Sequence, residues 1–248
     1  MPHFFIKSDD VKGGRLFLSG DLFNHLTHSL RHRVNDRLKL VDEKQRSYSA
    51  RITRIEPSGL EAEVRESAEL PEPLSPRLIL AQALIKKNRM DLVIEKATEL
   101  GVSEIVPLIT ERTVVHPSDE RLDRQIGRWE KIILEAAQQS ERPSLPKILP
   151  PVEFGAFLRT ASPKPGLFFR EGETRTLKSS LASLLPAAAG SAFLMLIGPE
   201  GGWSQNEIAL SAEKGYISVS LGPRTLRSET AVITAVTLCQ YELGYFGI

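Results

Sequence analysis

Two rhythms of apolar and polar residues divide the chain. Up to about residue 70 the apolar residues come in short alternating runs: Arg15-Leu16-Phe17-Leu18, Arg37-Leu38-Lys39-Leu40-Val41, Tyr48-Ser49-Ala50-Arg51-Ile52 and Leu60-Glu61-Ala62-Glu63-Val64. Side chains alternate across a strand, so each run turns one face to a core and the other to water; the turn residues between runs predict a small β barrel or sandwich. His25 to His32 is expected to form a single short helix among these strands. Glu69-Leu70-Pro71-Glu72-Pro73-Leu74-Ser75-Pro76 then packs three prolines into six positions. Proline disfavours helix and removes the amide an interior strand needs, so this stretch reads as a linker between domains 1–72 and 73–248.

After the linker, strand-length apolar runs at Leu78 to Leu84, Glu104 to Ile109, Leu167 to Phe169, Phe193 to Ile197 and Ile217 to Leu221 alternate with helical stretches. That rhythm predicts an α/β domain with a mostly parallel sheet covered by helices. Met90, Val93, Ile94, Ala97 and Leu100 fall on one helix face, with Gly101 where a left-handed terminating residue belongs. A second helix is predicted from Asp119 to Gln139, stopping before Pro143, and a last one from Glu229 to about Leu243. The last helix is apolar on almost every side through Ala231 to Cys239, which predicts burial against its own sheet and against a second subunit. Leu184 to Ala192, rich in alanine and proline, reads as a loop, and no internal repeat is present.

Composition changes this picture little. With 248 residues, 41% hydrophobic and 25% charged, the chain can bury one large core or two smaller ones. Its net charge of +1, from 32 Lys and Arg against 31 Asp and Glu, does not announce a nucleic-acid partner; any basic surface must come from segregation of charge. A single cysteine, Cys239, rules out an internal disulfide framework and fits a reducing compartment. Met1 to Lys7 lacks the pattern of a secretory signal and no apolar run is long enough to span a bilayer, so a cytoplasmic protein is expected.

The candidate chemistry lies in two turn-rich segments, Leu196-Ile197-Gly198-Pro199-Glu200-Gly201-Gly202-Trp203-Ser204 and Leu221-Gly222-Pro223-Arg224-Thr225-Leu226-Arg227-Ser228-Glu229-Thr230. Each follows an apolar run and opens into a helix, and Ser204 to Glu207 has the spacing at which both residues cap a helix start. Such loops sit at the carboxyl end of a parallel sheet, where backbone amides converge on a ligand. A phosphate fits poorly, because Glu200 would repel it and no lysine follows in the phosphate-loop position; a nucleoside-like ligand without phosphates fits better. Plainer readings compete at each residue. The glycines can serve a tight turn, Glu200 can be a solvated carboxylate rather than a cofactor-hydroxyl ligand, and Arg227 can simply pair with Glu229. The histidines His3, His25, His28 and His32 lie near the amino terminus, only His116 lies beyond the linker, and no spacing suggests a metal.

These two segments, with Arg89-Met90-Asp91-Leu92-Val93-Ile94-Glu95-Lys96-Ala97-Thr98-Glu99-Leu100-Gly101 and Pro107-Leu108-Ile109-Thr110-Glu111-Arg112 upstream, resemble the bacterial 16S ribosomal RNA uridine-N3 methyltransferases of the RsmE type over nearly the whole chain. The resemblance implies a SPOUT methyltransferase: a PUA-like amino-terminal barrel that helps hold RNA, a carboxyl-terminal α/β domain threaded through a trefoil knot, an obligate homodimer, and S-adenosylmethionine as cofactor. Pattern reading alone would have excluded a knot, so that expectation rests on the resemblance. Carried onto this sequence, it implies cofactor contacts from Ile197, Gly198, Pro199, Glu200, Gly201, Gly202, Leu221, Gly222, Leu226, Arg227 and Thr230, and catalytic roles for Arg227 and Glu229. The chemistry explains the catalytic pair, because uridine N3 carries a proton in the neutral base. Arg227 could stabilise the anion through its donor fork and Glu229 could take the proton. Arg31, Arg33, Arg112 and Arg142 are the implied RNA contacts, with 16S ribosomal RNA of the small subunit as substrate. Asn35 stands before Asp36 where that family usually has glycine; asparagine tolerates the left-handed conformation such a turn needs. Two alternatives stay open: a related enzyme acting on transfer RNA or another ribosomal base, and an RNA-binding assembly factor without catalysis.

Overall fold

The computed structural model describes residues 3–70, 75–115, 119–160, 165–188 and 192–246. The chain divides into two compact units, Met1–Glu72 with Ala137–Ser144, and Pro73–Ala136 with Leu145–Ile248. Most of the expected linker, Pro71 to Leu74, lies outside the described residues, as does His116.

In the first unit, strands β1 (His3–Ile6), β2 (Val11–Lys12), β3 (Arg15–Leu18), β4 (Arg37–Asp42), β5 (Arg46–Glu56) and β6 (Gly59–Glu69) form one mixed sheet in the order β1-β4-β5-β6-β3-β2. All its pairs are antiparallel except β1 with β4. The alternation seen in the sequence is the alternation of burial: in β4, Leu38 and Leu40 are buried while Arg37 and Lys39 are exposed. Phe4, Leu16, Leu26, Leu38, Leu40, Ile52 and Leu60 make the core. The helix expected at His25 to His32 is displaced. A short helix α1 spans Gly20–Asn24, and one wide π-helical turn, His25–Ser29, follows it. The anchors are Phe23 and Leu26, three residues apart and both buried, which draw the helical segment toward them and leave the polar end of the histidine stretch outside.

The second unit is a wholly parallel sheet. Its strands are β7 (Arg77–Ala83), β8 (Glu104–Ile109), β9 (Lys147–Ile148), β10 (Val152–Glu153), β11 (Gly166–Phe169), β12 (Ala192–Ile197) and β13 (Ile217–Val219). They are ordered β10-β8-β7-β12-β11-β13, with β9 beside β8. Helices α2 (Lys87–Glu99), α3 (Asp119–Gln139), α4 (Phe154–Thr160), α5 (Leu177–Ala188), α6 (Gln205–Glu213) and α7 (Ser228–Glu242) connect or follow them. Two apolar layers sandwich the sheet. Leu78, Leu80, Phe193 and Met195 face Met90, Val93, Ile94, Trp129, Leu181, Val232 and Val236 on one side. Ile79, Ala81, Leu194 and Leu196 face Phe154, Leu158 and Trp203 on the other. Each interior strand therefore needs apolar residues at successive positions, which is why these runs do not alternate.

Three features depart from the sequence reading. Leu184 to Ala188 end helix α5 instead of forming a loop, because alanine has the highest helix propensity and Leu181 anchors the segment in the core. Helix α4 and the two-residue strands β9 and β10 are too short to leave a periodic signal. Helix α7 buries Val232, Ala235, Val236 and Cys239 but leaves Leu238 and Tyr241 exposed, so within one chain it is covered on one side only.

Phe168 on β11 is fully buried, with its ring centroid 4.6 Å from that of Trp203. Phe168→Ala should therefore cost about 3–5 kcal/mol of stability, read as a shift of the denaturation midpoint of the purified protein.

Candidate active site

Because every strand of the second sheet is parallel, the loops after β7, β8, β11, β12 and β13 all leave from one edge. The loop after β12 is held by several devices. The Gly202 amide donates to the Pro199 carbonyl at 2.9 Å, closing a turn, and Gly202 has φ +69°, a conformation glycine adopts without strain. A Cβ on Gly198 would lie 3.0 Å from the Trp203 indole, and one on Gly201 would lie 3.2 Å from Cβ of Arg112, so both glycines let the chain pass close to a neighbour. Trp203 is itself pinned: its Nε1 donates to the Phe169 carbonyl at 2.9 Å and its ring packs against Phe154 and Phe168.

Helix α6 starts with the capping box that the sequence promised. Ser204 Oγ accepts from the Glu207 amide at 3.2 Å, and Glu207 Oε2 accepts from the Ser204 amide at 2.8 Å. The structure adds a third partner, since Glu207 Oε1 accepts from the Glu111 amide at 3.0 Å. One buried carboxylate thus fastens the loop after β8 to the loop after β12. Arg112 strengthens the link by donating from Nη1 to the Gly201 carbonyl at 2.8 Å.

The second segment meets the first at one joint. Ser228 Oγ donates to the Gly198 carbonyl at 2.7 Å and accepts from Gln82 Nε2 at 3.0 Å. Gln82, at the end of β7, is completely buried, so three loops are tied through two side chains. Gly222 has φ +116°, and its amide donates to Ser220 Oγ at 3.2 Å. Leu221 and Leu226 are half-buried, while Arg227 and Thr230 are exposed. Arg227 precedes the first turn of α7 and its side chain makes no hydrogen bond or ion pair among the described residues.

Glu229 pairs with a different arginine from the one its sequence neighbourhood suggests. Arg89 of α2 lies between two carboxylates, with Nη1 3.4 Å from Glu200 Oε1 and Nε 3.6 Å from Glu229 Oε1. Glu229 is buried, and its Oε2 has no hydrogen-bond partner among the described residues. The side chains of Arg89 and Glu200 are about one third exposed, so each contact contributes at most about 1 kcal/mol; the hydrogen-bonded joints, not these pairs, set the loop geometry. Beside them opens a cavity of about 320 Å³ lined by Leu84, Lys86, Arg89, Val114, Val115 and Glu200.

The structure thus gathers Ile197, Gly198, Pro199, Glu200, Gly201, Gly202 and Glu229 around one edge, with the second loop joined to it through Ser228. Sequence reasoning had not singled out Gln82, Arg89, Glu207 or Arg170 as site residues. Arg170 follows β11, which lies between β12 and β13; its Nη2 donates to Glu173 Oε2 at 2.9 Å, and that bond is the largest cause holding the Glu173 carboxyl below its ordinary value. No short motif marks Gln82, Arg89 or the Glu111 contact of Glu207, because those partners lie far away in the chain.

The remaining arginines occupy different settings. Arg31 and Arg33 are exposed on a loop of the first unit, where Arg31 has φ +58° and Asn35 φ +78°. Asp36 Oδ2 closes this loop by accepting from the Arg33 amide at 2.8 Å, with His32 Nδ1 at 3.3 Å; the amide is the main cause holding the Asp36 carboxyl below its usual value. Arg112 serves the Gly201 carbonyl, as described. Arg142 is half-buried in the first unit, and burial lowers its guanidinium to about 10, which leaves it cationic at neutral pH. Among the described residues no group of three or more His, Cys, Asp and Glu could hold a metal ion.

Comparison with known proteins agrees with this geometry. Residues 72–240 match the model of an RNA methyltransferase domain, and residues 18–65 match that of an RNA methyltransferase PUA domain. The chain is 40% identical over 174 residues to ribosomal RNA small subunit methyltransferase E of Synechocystis, a match covering 70% of this chain and 54% of that protein. It is 31% identical over 234 residues to the Rickettsia conorii protein of the same name, covering 94% of this chain and 92% of the relative. The crystal structure of ribosomal RNA small subunit methyltransferase E from Neisseria gonorrhoeae, bound to S-adenosylmethionine, superposes with a TM-score of 0.84 at 30% identity, over 97% of each chain.

Glu207→Ala should remove the capping box and strand the Glu111 amide, lowering stability by about 1–3 kcal/mol. Hydrogen exchange should rise at the amides of both Ser204 and Glu111. Unchanged exchange at Glu111 would show that the carboxylate does not hold the loop after β8.

Proposed function

The chain belongs to the RNA methyltransferase family, and from that premise we propose that it transfers a methyl group from S-adenosylmethionine to N3 of a uridine in the 16S ribosomal RNA of the small ribosomal subunit. The observation that carries this reading is the joint at which Ser228 binds the Gly198 carbonyl, since it brings the two expected cofactor segments to one sheet edge. The residues present fit the cofactor: the Gly198 to Gly202 loop brings closely spaced backbone groups to the sheet edge, half-buried Leu221 and Leu226 supply apolar surface for a purine, and Glu200 supplies a hydroxyl acceptor. When bound, S-adenosylmethionine supplies a methyl group on a sulfonium centre. The chain's own task is to align the base, exclude water and manage the N3 proton. The partnerless Oε2 of Glu229 is the candidate acceptor of that proton, and the unpaired guanidinium of Arg227 is the candidate donor to a uracil oxygen or an RNA phosphate.

Arg31 and Arg33, exposed on a loop braced by Asp36, suit phosphate contacts from the PUA-like unit. Arg112 and Arg142 are retained as weaker RNA candidates, because the first already serves the Gly201 carbonyl and the second is half-buried. The trefoil knot is part of the same reading. Its support is a strand order with two crossovers, in which β12 pairs with the distant β7 and β11 lies between β12 and β13, while α7 returns to pack on α2. The homodimer is supported by α7, whose outer side leaves Leu238 40% and Tyr241 61% exposed beside a buried apolar face. No described helix is long and apolar enough to cross a membrane, and a ribosomal substrate fits a cytoplasmic protein.

Ribosomal RNA from cells lacking the protein should lose one N3-methyluridine that the wild type carries, mapped by mass spectrometry of nuclease fragments. Arg227→Ala should bind S-adenosylmethionine nearly normally in calorimetry yet lose about a hundredfold or more in single-turnover methylation of small subunits, the scale of one electrostatic donor in a dry site. Arg31→Ala with Arg33→Ala should instead weaken subunit binding, flatten its salt dependence and spare the rate at saturation.

Val236 is fully buried within one chain, so a charge there would break the fold rather than report on assembly. Leu238→Glu is the better probe of the dimer. Sedimentation should show a dimeric wild type and a folded monomeric variant; a monomeric wild type at micromolar concentration would remove the dimer from this reading.

A further inference from the structure

The cavity beside the Glu200 turn is lined, apart from Glu200, by residues that the cofactor reading does not use. Leu84, Val114 and Val115 give it apolar walls, and Lys86, Arg89 and Glu200 give it charge. At about 320 Å³ it is near the small end of ligand pockets and has room for one heterocyclic base. Its charges are unequally engaged. Arg89 is committed to Glu200 and Glu229, whereas the Lys86 ammonium makes no hydrogen bond or ion pair among the described residues. The sum over Glu200, Glu229, Arg89 and Lys86 is zero, and without Lys86 it is one negative charge. An anion forming there without Lys86 would face a net repulsion.

We propose that this cavity receives the target uracil and that Lys86 is the cation that stabilises its N3 anion. The inference rests on the uridine-N3 reading and adds the base pocket and the residue that sets the acidity of N3. A base in a folded RNA must leave its stack to be reached, and apolar walls such as Val114 and Val115 suit the faces of an extruded pyrimidine. The N3 proton passes to a carboxylate beside the cavity, Glu229 in this reading, which the lining residue Arg89 holds at 3.6 Å. The N3 lone pair then forms the bond to the methyl carbon as the carbon–sulfur bond breaks, leaving N-methyluracil and a neutral thioether. Negative charge on the ring before transfer is shared by the two flanking carbonyl oxygens, and a nearby ammonium lowers the cost of that charge. A cation within about 4–6 Å shifts an acid's pKa down by about one to three units.

The test is single-turnover methylation of isolated small subunits by the full-length protein, wild type and Lys86→Met, between pH 6 and pH 9. Below the ionisation of the bound base, Lys86→Met should be slower by tenfold or more. The deficit should narrow toward pH 9, because removing the cation moves the rising limb of the rate to higher pH. Subunits containing 5-fluorouridine, whose N3 is intrinsically more acidic, should rescue the variant more than the wild type. Calorimetric affinity for S-adenosylmethionine should be unchanged in Lys86→Met. Val114→Trp, at a position 82% exposed in the wild type and therefore safe for the fold, should obstruct the cavity and lower the saturating rate without loss of cofactor affinity.

A wild-type rate in Lys86→Met would overturn the proposal. So would a deficit that is constant across pH and across the two substrates, or a loss accounted for by weaker cofactor binding, which would give the cavity to the cofactor instead. Failure of the wild-type protein itself to methylate small subunits would count against the uridine-N3 reading and is seen before any variant is compared.

Discussion

Strand β12 imposes the constraint from which the second unit is built. All six of its residues, Ala192 to Ile197, are buried, and none carries a polar side chain. Such a strand must pair on both edges and be covered on both faces, and here it lies between β7 and β11 with apolar layers above and below. Its backbone polar groups are satisfied by parallel neighbours, so every neighbouring strand ends at the same edge as β12 does. The loop that leaves Ile197 emerges where the loops after β7, β8, β11 and β13 emerge. The candidate site is therefore a consequence of burying one apolar run.

What happens at that edge is decided by a few short hydrogen bonds. Ser228, Gln82 and the Gly198 carbonyl form a buried chain across three loops, while Glu207 ties a fourth to the same place. Buried hydrogen bonds of this kind are costly to break because each leaves a donor or acceptor without water. The half-exposed ion pairs of Arg89 are weaker in stabilisation. Their importance is electrostatic, since the one guanidinium offsets half of the charge of two carboxylates that would otherwise repel an anionic substrate. Rigid loops and a nearly neutral charge balance suit a reaction that needs alignment and a managed proton more than covalent machinery.

The first unit follows a simpler rule. One face of its sheet builds a small core around Phe4, Leu16, Leu38, Leu40 and Leu60. The loop carrying Arg31 and Arg33 is held open by left-handed residues and by the Asp36 carboxylate, so its two arginines are presented without being paired to neighbouring acids. The RNA contact proposed for this loop is compatible with a net charge of only +1, because what matters is where the positive charges stand.

The sequence alone determined the class of each half and most elements. Period-two runs and continuous apolar runs report burial on one face or on two, which is a local property of the chain. It also singled out the two candidate segments that the fold joins at one edge, and the capping box at Ser204, whose geometry depends on residues three apart. Residues 25 to 32 and 184 to 188 were misjudged, because tertiary anchors at Phe23, Leu26 and Leu181 outweighed local composition; residues 189 to 191 lie outside the described residues. The partner of Glu229 was equally beyond local reading. Arg227 is two residues away, yet Arg89, 140 positions earlier, is the one that faces it, because α2 and α7 pack side by side. The Gln82 joint, the Glu111 contact of Glu207 and the cavity at Lys86 likewise join residues far apart in the chain. Spacing along a sequence encodes what one helix or strand does; which helices and strands share an edge is decided only when the buried surfaces are paired.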